Sequence, residues 1–417
     1  MENRYFYFKE KVKIVYGAKG AAIYDLSSGD VFAIEEAGVP VLKAIEKTSS
    51  IEQSVLFEDF DVSDFLNQME SANLGFFIEK KLNLTQEKHV FKARVSLDVL
   101  WLEITNKCNF KCVHCYFKQD KTENQFDLDL KDWKKVLIQA SEIGCKKVVF
   151  IGGEPLMKKE LLKNLVEFSK ELTGIEELEI FTNGYFLDPD LIKYFGKLGV
   201  KFAVSFYSLE SKIHESVTKK KGSFNFTLNF LKFLKLNNIC FRISIIAMKN
   251  NEDSIDDTMD WLENIFPGTE IGYDVVRPIG NGCVDLQPFR EFPGQIRREA
   301  SFPKVTEKDF LKRHFGHNCL FGKLVVGSNG VVRPCVMSSL ILGDVKKNSL
   351  AQIINFKCTR KLWLFNKNEI PECSVCEFKY ACMDCPPKTC YYTSTYYSKP
   401  YGCMYDPYTG IWNKERR

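Results

Sequence analysis

An α/β fold built on a parallel sheet is what this sequence predicts, with a small N-terminal module before it and a cysteine-rich region after it. Three observations carry that reading. From about residue 96, strand-like and helix-like runs alternate through six β/α units, which imply a parallel sheet, open or closed into a partial (β/α)6 barrel. The first of those strands, VLWLEIT, runs straight into the loop NKCNFKCVHC. Nine of the 15 cysteines lie between Cys319 and Cys403.

The elements follow in order. Residues 1–90 open with short strand runs at Val12–Tyr16, Ala21–Tyr24 and Val31–Ala33. The turn Ser27-Ser28-Gly29-Asp30 makes a hairpin of the last two. Helical patterns at Val39–Glu46 and Val62–Ala72 complete a small β-then-α module. Strands of the second region, residues 91–300, are expected at Val95–Thr105, Lys147–Ile151, Leu178–Phe181, Phe202–Phe206, Phe241–Ala247 and Glu270–Val275. Between the first two, Leu130, Trp133, Leu137 and Ala140 share one helix face, with Asp129 to cap its start and Gly144 its end. Asp188-Pro189 opens another helix and Gly199 closes it. Arg242 and Ser244 alternate on the fifth strand and can face its cavity. The run Arg277–Gly282 is a loop that lines the site or connects domains. Residues 301–417 form the third region.

Composition narrows the function classes. The 417 residues are 45% apolar and 27% charged, with net charge +4, which excludes a disordered chain and a strongly basic nucleic-acid binder. No apolar run reaches the roughly 18–20 residues of a membrane span. The N-terminus, charged and aromatic, lacks a signal-peptide core, so a cytoplasmic protein is expected. In a reducing compartment, clustered cysteines point to metal rather than disulfides. Cys145, Cys240 and Cys283 stand alone and are expected to be buried structural thiols.

Active sites of such folds lie beyond the carboxyl ends of the strands. The spacing C-x3-C-x2-C of Cys108, Cys112 and Cys115 falls there. Three thiolates can hold three irons of a [4Fe–4S] cluster, leaving the fourth iron open to a small molecule. Past the second strand comes Gly152-Gly153-Glu154-Pro155, where glycines admit a ligand close to the backbone and Glu154 offers a carboxylate to an ammonium.

Together these motifs resemble the signature of radical S-adenosylmethionine (SAM) enzymes. The resemblance implies that the open iron chelates SAM and that reductive cleavage yields a 5′-deoxyadenosyl radical. His114 stands where the family commonly has a phenyl- or phenol-type aromatic, and imidazole can still stack on adenine. By the same resemblance, Asn183 of FTNG and Ser205 of VSFYS touch the SAM ribose or carboxylate, or else serve as turn and strand caps.

The C-terminal cysteines read C319-x10-G330-x4-C335, then C373-x2-C376-x5-C382-x2-C385, then C403. This resembles the SPASM extension, which carries auxiliary [4Fe–4S] clusters, so three clusters are expected in all. The usual C-x3-C ending is here one residue shorter. The resemblance implies one auxiliary cluster on Cys373, Cys376, Cys382 and Cys403. It implies a second on Cys319, Cys335 and Cys385, whose fourth position is open or filled by Cys358, Cys390 or His317. Zinc is the competing occupant, although five residues between the C-x2-C pairs are few for a zinc ribbon. Ser328-Asn329-Gly330 makes a hairpin turn that brings Cys319 and Cys335 together.

CSVCEFKYACMDC and the terminal DPYTG resemble the maturases of grasp-with-SPASM peptide systems, and the N-terminal module resembles their winged-helix-like peptide-recognition domain. The implied function is oxidation or cross-linking of a ribosomally made precursor peptide. The implied partners are that peptide with its leader, a flavodoxin- or ferredoxin-type reductant and an ATP-grasp ligase, with no nucleic acid or membrane. Two alternatives are a sulfatase-type maturase acting on a Cys or Ser of a folded protein, and an electron carrier or iron–sulfur scaffold without turnover. No catalytic acid or base stands out.

Overall fold

The computed structural model describes residues 5–50, 60–82, 95–117, 127–289 and 302–413. The expected domain boundaries at 90 and 300 lie outside these residues. At the N-terminus come β1 (Tyr5–Phe8), β2 (Val12–Tyr16), β3 (Ala21–Asp25), β4 (Val31–Ile34), α1 (Val39–Thr48), α2 (Val62–Ser71) and β5 (Gly75–Ile78). β3 pairs antiparallel with β2 and β4, and the Ser27–Asp30 turn closes the second hairpin, with Gly29 at φ +86°. β1 and β5, too short to give a readable alternation, pair with each other. α1 and α2 lay Val41, Leu42, Ile45, Leu66 and Met69 onto Phe6, Val12 and Ile23.

The central region runs β6 (Val99–Thr105), α3 (Leu130–Glu142), β7 (Lys147–Gly152), α4 (Lys159–Glu171), β8 (Glu177–Thr182), α5 (Pro189–Lys197) and β9 (Lys201–Ser205). It continues with α6 (Ser211–Thr218), α7 (Ser223–Leu236), β10 (Phe241–Ala247), α8 (Ile255–Ile265) and β11 (Glu270–Val275). The caps act as expected. Asp129 accepts from Asp132 N in a reciprocal capping box, and Asp188 accepts from Leu191 N. Gly144 and Gly199 end their helices in the left-handed region, at φ +83° and +70°.

β6 to β11 are parallel neighbours in sequence order. Alternation splits the sheet into two faces. Leu100, Leu102, Phe150, Ile180, Phe202 and Ile243 pack under the helices with Trp133, Leu165 and Phe230. Trp101, Glu103, Glu179, Phe181, Arg242 and Ser244 occupy the other positions. Arg242 Nε donates to Glu179 Oε1 at 2.7 Å and its Nη1 to Ser244 Oγ at 2.8 Å, so both residues lie on that second face.

The C-terminal region does not stand apart from this sheet. After α9 (Glu307–Phe315), β12 (Lys323–Val326) pairs parallel with β6, and β13 (Val331–Arg333) and β14 (Gly343–Asp344) extend it to nine strands. Then follow α10 (Leu350–Asn355), α11 (Lys357–Leu364), α12 (Pro371–Ser374), α13 (Pro386–Thr393), β15 (Tyr405–Asp406) and β16 (Ile411–Trp412). The N-terminal sheet packs on this region, with Val15, Ala22, Tyr24 and Leu26 against Val305, Phe310, Phe378, Tyr380 and Tyr405. The β2–β3 turn is fastened there as well. Ala18 N donates to Val375 O at 2.8 Å, and Tyr24 and Tyr405 hydroxyls donate to Glu377 O and Oε1 at 2.9 and 2.5 Å.

One expectation fails. Cys145 is buried, but Cys240 and Cys283 are exposed. Both lie just outside strands, at the start of β10 and in the loop after β11, where no layer of the described residues buries them. Among the described residues no helix is long and apolar enough to cross a membrane.

Candidate functional site

Beyond the end of β6 the cysteine loop is tied down on several sides. Gly153 N donates to Thr105 O and Glu154 N to Lys107 O, each at 2.8 Å. Lys111 N and Val113 N donate to the carbonyls of Thr218 and Val217, and Asn281 N donates to Cys115 O at 2.7 Å. Thus the ends of β7, α6 and β11 jointly fix one loop. Its approach to β7 is so close that a Cβ on Gly153 would lie 2.0 Å from Lys107 O. Gly153→Ala is therefore expected to cost about 1–3 kcal/mol by overpacking against backbone, read as a lower thermal midpoint. An unchanged midpoint would contradict this account of the loop.

The three thiols of that loop are brought together. Burial, followed by the neighbouring cysteines, pushes the Cys112 thiol far above its ordinary value, and Cys108 is pushed up to about 11 by burial with further upward pressure from Glu154 and Cys115. Thiols so placed are poor groups for water and need a cation to ionise, which suits a metal assembly. Tyr207, on the segment after β9, lies close enough to Cys112 and Ser205 to act on both, and packs its ring 5.0 Å from that of His114. Burial holds the His114 imidazole down at about 4, hence neutral. Ser205 thus meets Tyr207, a residue the sequence reading passed over inside the same VSFYS run.

Glu154 is fully buried and is also a hub. Its Oε1 accepts from Leu156 N at 3.1 Å and Thr182 Oγ1 at 2.8 Å, and its Oε2 accepts from Asn183 N at 2.7 Å. Burial raises its carboxyl to about 7 against those three donors. Asn183 in turn donates from Nδ2 to Asn109 Oδ1 at 2.9 Å and lies 3.8 Å from Cys108 Sγ. Glu154, Asn183 and the cysteine loop form one connected network, with Gly152 at φ +133° beneath it. Three of the roughly four acceptor positions of this carboxylate are thus filled by the protein itself.

The remaining cysteines form two sets. Cys335 feels the charges of Cys319 and Cys385. Cys373 feels those of Cys382 and Cys403, and Cys376 those of Cys382 and Cys373. The hairpin turn at Gly330, φ +90°, joins β12 to β13 and so brings Cys335 back toward Cys319. Cys358 is exposed, whereas Cys390 acts on Tyr396 together with Cys335 and Cys385. His317 uses its Nδ1 to accept from Cys319 N at 3.1 Å. Within the shortened C-x2-C, the enclosed Asp384 side chain pairs with buried Lys367 at 3.0 Å. A cavity of about 440 Å³ is lined by Cys319, Cys335, Cys382, Cys385 and Cys403 together with Trp101 and Arg277. Among the described residues, no three His, Cys, Asp or Glu side chains converge as one metal ion requires. The all-sulfur donor sets around a wide cavity suit multi-iron clusters better than a tetrahedral zinc.

Two further polar groups join these sites. Glu103, on β6 and 1% exposed, accepts from Arg333 Nη2 of β13, while its Oε1 has no partner. The buried Tyr116 feels the charges of Glu103, Cys115, Arg333 and Cys335. The lone carboxylate in VLWLEIT was a legible signal for Glu103; its arginine was not.

A profile of the Radical SAM superfamily matches residues 102–262, and one of the SPASM iron–sulfur cluster-binding domain matches residues 318–377. The chain is similar to the antilisterial bacteriocin subtilosin biosynthesis protein AlbA of Bacillus subtilis, 24% identical over 276 residues. That match covers 63% of this chain and 60% of AlbA, so the chain spans less than two thirds of that relative. The AdoMet-dependent heme synthase of Methanosarcina barkeri is 22% identical over 354 residues, 74% of this chain and 96% of that protein. Streptococcus suis SuiB bound to precursor peptide SuiA superposes with a TM-score of 0.57 at 15% identity, covering 96% of this chain and 100% of that one. Native anSMEcpe with bound AdoMet gives 0.53 at 16% identity over 75% and 93%. These likenesses show the fold.

Proposed function

Since the chain joins a radical SAM domain to a SPASM domain, and both imply [4Fe–4S] clusters, we propose that it is a maturase that oxidises or cross-links a ribosomally made precursor peptide. The observation that carries this reading is the placement of two further cysteine sets beside a SAM-type loop, with an added N-terminal module docked on the last of them. In this reading Cys108, Cys112 and Cys115 hold the first cluster and Gly152, Gly153, Glu154, Asn183 and Ser205 frame SAM. Cys319, Cys335 and Cys385 hold the nearer auxiliary cluster, and Cys373, Cys376, Cys382 and Cys403 the other. Bound SAM supplies the hydrogen-abstracting radical. The chain's own residues orient and enclose: Glu154 fixes Asn183, Tyr207 stands beside Cys112, and His114 adds a neutral ring to the same wall.

The domain division is read as 1–90 for peptide recognition, 91–300 for the radical SAM core and 301–417 for the SPASM region. Support for the first comes from β4, a half-exposed strand with β3 on one side only among the described residues. Such an edge can accept a leader strand. SuiB, bound to its precursor peptide, has a similar fold. The finer assignment to a grasp-with-SPASM system, with an ATP-grasp partner and a flavodoxin or ferredoxin as reductant, rests on CSVCEFKYACMDC and DPYTG.

Anaerobic co-expression with short peptides encoded beside the gene, followed by mass spectrometry, tests the function. The expected product is a peptide lighter by two hydrogens. No shift on any such peptide, with oxidation of a Cys or Ser in a folded protein instead, would overturn the reading.

A further inference from the structure

The segment 277–282 touches both the first cysteine loop and the nearer auxiliary set. At one end Asn281 N donates to Cys115 O at 2.7 Å. Gly280, at φ +69°, lies so close that a Cβ would meet Tyr116 O at 2.3 Å and Cys115 O at 2.5 Å. At the other end Arg277 Nε donates to Cys385 Sγ at 3.0 Å, and Nη1 is 2.6 Å from Asp274 Oδ2. The Arg277 side chain is 19% exposed, whereas Asp274 is 53% exposed. An ion pair with so exposed a carboxylate contributes little. The enclosed end of the guanidinium is the sulfur end, and it lines the same cavity as Cys319, Cys335 and Cys385.

A guanidinium keeps its charge at all working pH values, and it presents N–H groups in a rigid fork. Hydrogen bonds to cysteine sulfur and net charge nearby are the protein's levers on the reduction potential of an iron–sulfur cluster. We propose that Arg277 is a positioning residue for the nearer auxiliary cluster: its charge-assisted N–H···S bond orients Cys385 into the cavity and makes the cluster held there easier to reduce. This rests on reading Cys319, Cys335 and Cys385 as ligands. It assigns to the loop after β11 a task beyond connection, because one short segment then braces both iron sites.

The test uses the full chain carrying Cys108→Ala, Cys112→Ala and Cys115→Ala, which removes the first cluster's signal. Potentiometric electron paramagnetic resonance with dithionite as reductant then follows the two auxiliary clusters. Adding Arg277→Gln should move one couple about tenfold toward the oxidised form, about 59 mV for one electron, and leave the other in place. Arg277→Lys should recover most of that shift. Iron lost in Arg277→Gln but kept in Arg277→Lys would also support the proposal. Two unmoved couples, or iron lost in both variants, would overturn it. If Cys385→Ala leaves both signals intact, the ligand assignment has failed instead.

Discussion

Cys112→Ala is expected to abolish reductive SAM cleavage, by at least about 10³-fold, because the cofactor carries the hard chemistry and the loop only positions it. Iron content should fall from about twelve to about eight per chain if each of three cysteine sets holds four irons. The fold should survive. Removing one buried sulfur leaves a small void, costing about 1 kcal/mol, and the loop keeps its ties from Gly153, Glu154, Lys111, Val113 and Asn281. Anaerobic iron analysis and quantitation of 5′-deoxyadenosine check the two halves independently. Retained cleavage would overturn the first assignment, and about four irons with zinc in the wild type would overturn the auxiliary ones.

Arg333→Ala should give the largest loss of stability, about 3–5 kcal/mol, because it strands a buried carboxylate. Arg333 joins β13 to Glu103 of β6 and also donates to Val336 O at 3.2 Å and Ser338 O at 3.3 Å. The pH dependence has a definite sign. Burial holds Glu103 above the usual carboxylate range, with Arg333 opposing the rise. Without Arg333 the carboxyl titrates higher still. A raised acid favours the folded state while it is protonated, and that contribution is lost as pH rises through the folded value. The deficit of Arg333→Ala should therefore be smallest in acid and grow toward neutrality, as chemical denaturation at several pH values would show. Glu103→Leu with Arg333→Met should recover most of the stability, since an apolar pair of similar size can replace a buried ion pair. A deficit that does not vary with pH would sink this explanation.

What could be read from the sequence divides by distance along the chain. The six central strands, the caps Asp129 and Asp188 and the turns at Gly29 and Gly330 follow from neighbouring residues, and so did their prediction. The cysteine loop and the Gly152–Pro155 segment were legible because their spacing is local. The pairing of β12 with β6 was not, since hydrophobic periodicity marks a strand and says nothing of its partner. Arg333 with Glu103 and Arg277 with Cys385 are separated by 230 and 108 positions, and only folding brings them together. Cys240 and Cys283 show the converse: residue type alone suggested interiors that the strand ends do not provide.

The seat of the N-terminal hairpin on Glu377 has a consequence for dissecting this protein. Glu377 follows Cys376 directly, and Gly17 and Gly20 leave room for its carboxylate, which a Cβ at either would meet at 2.3 and 2.8 Å. Amputating residues 1–90 would bare Phe378, Tyr380 and Tyr405 to solvent and would take the hydroxyl of Tyr24 away from the Glu377 carbonyl. If the proposed function holds, such a stump should lose peptide binding and iron together, as titration with a leader peptide and iron analysis would show. On β4 Val31 packs on that same seat, so a change at the exposed Ala33 is the one suited to separate the two losses.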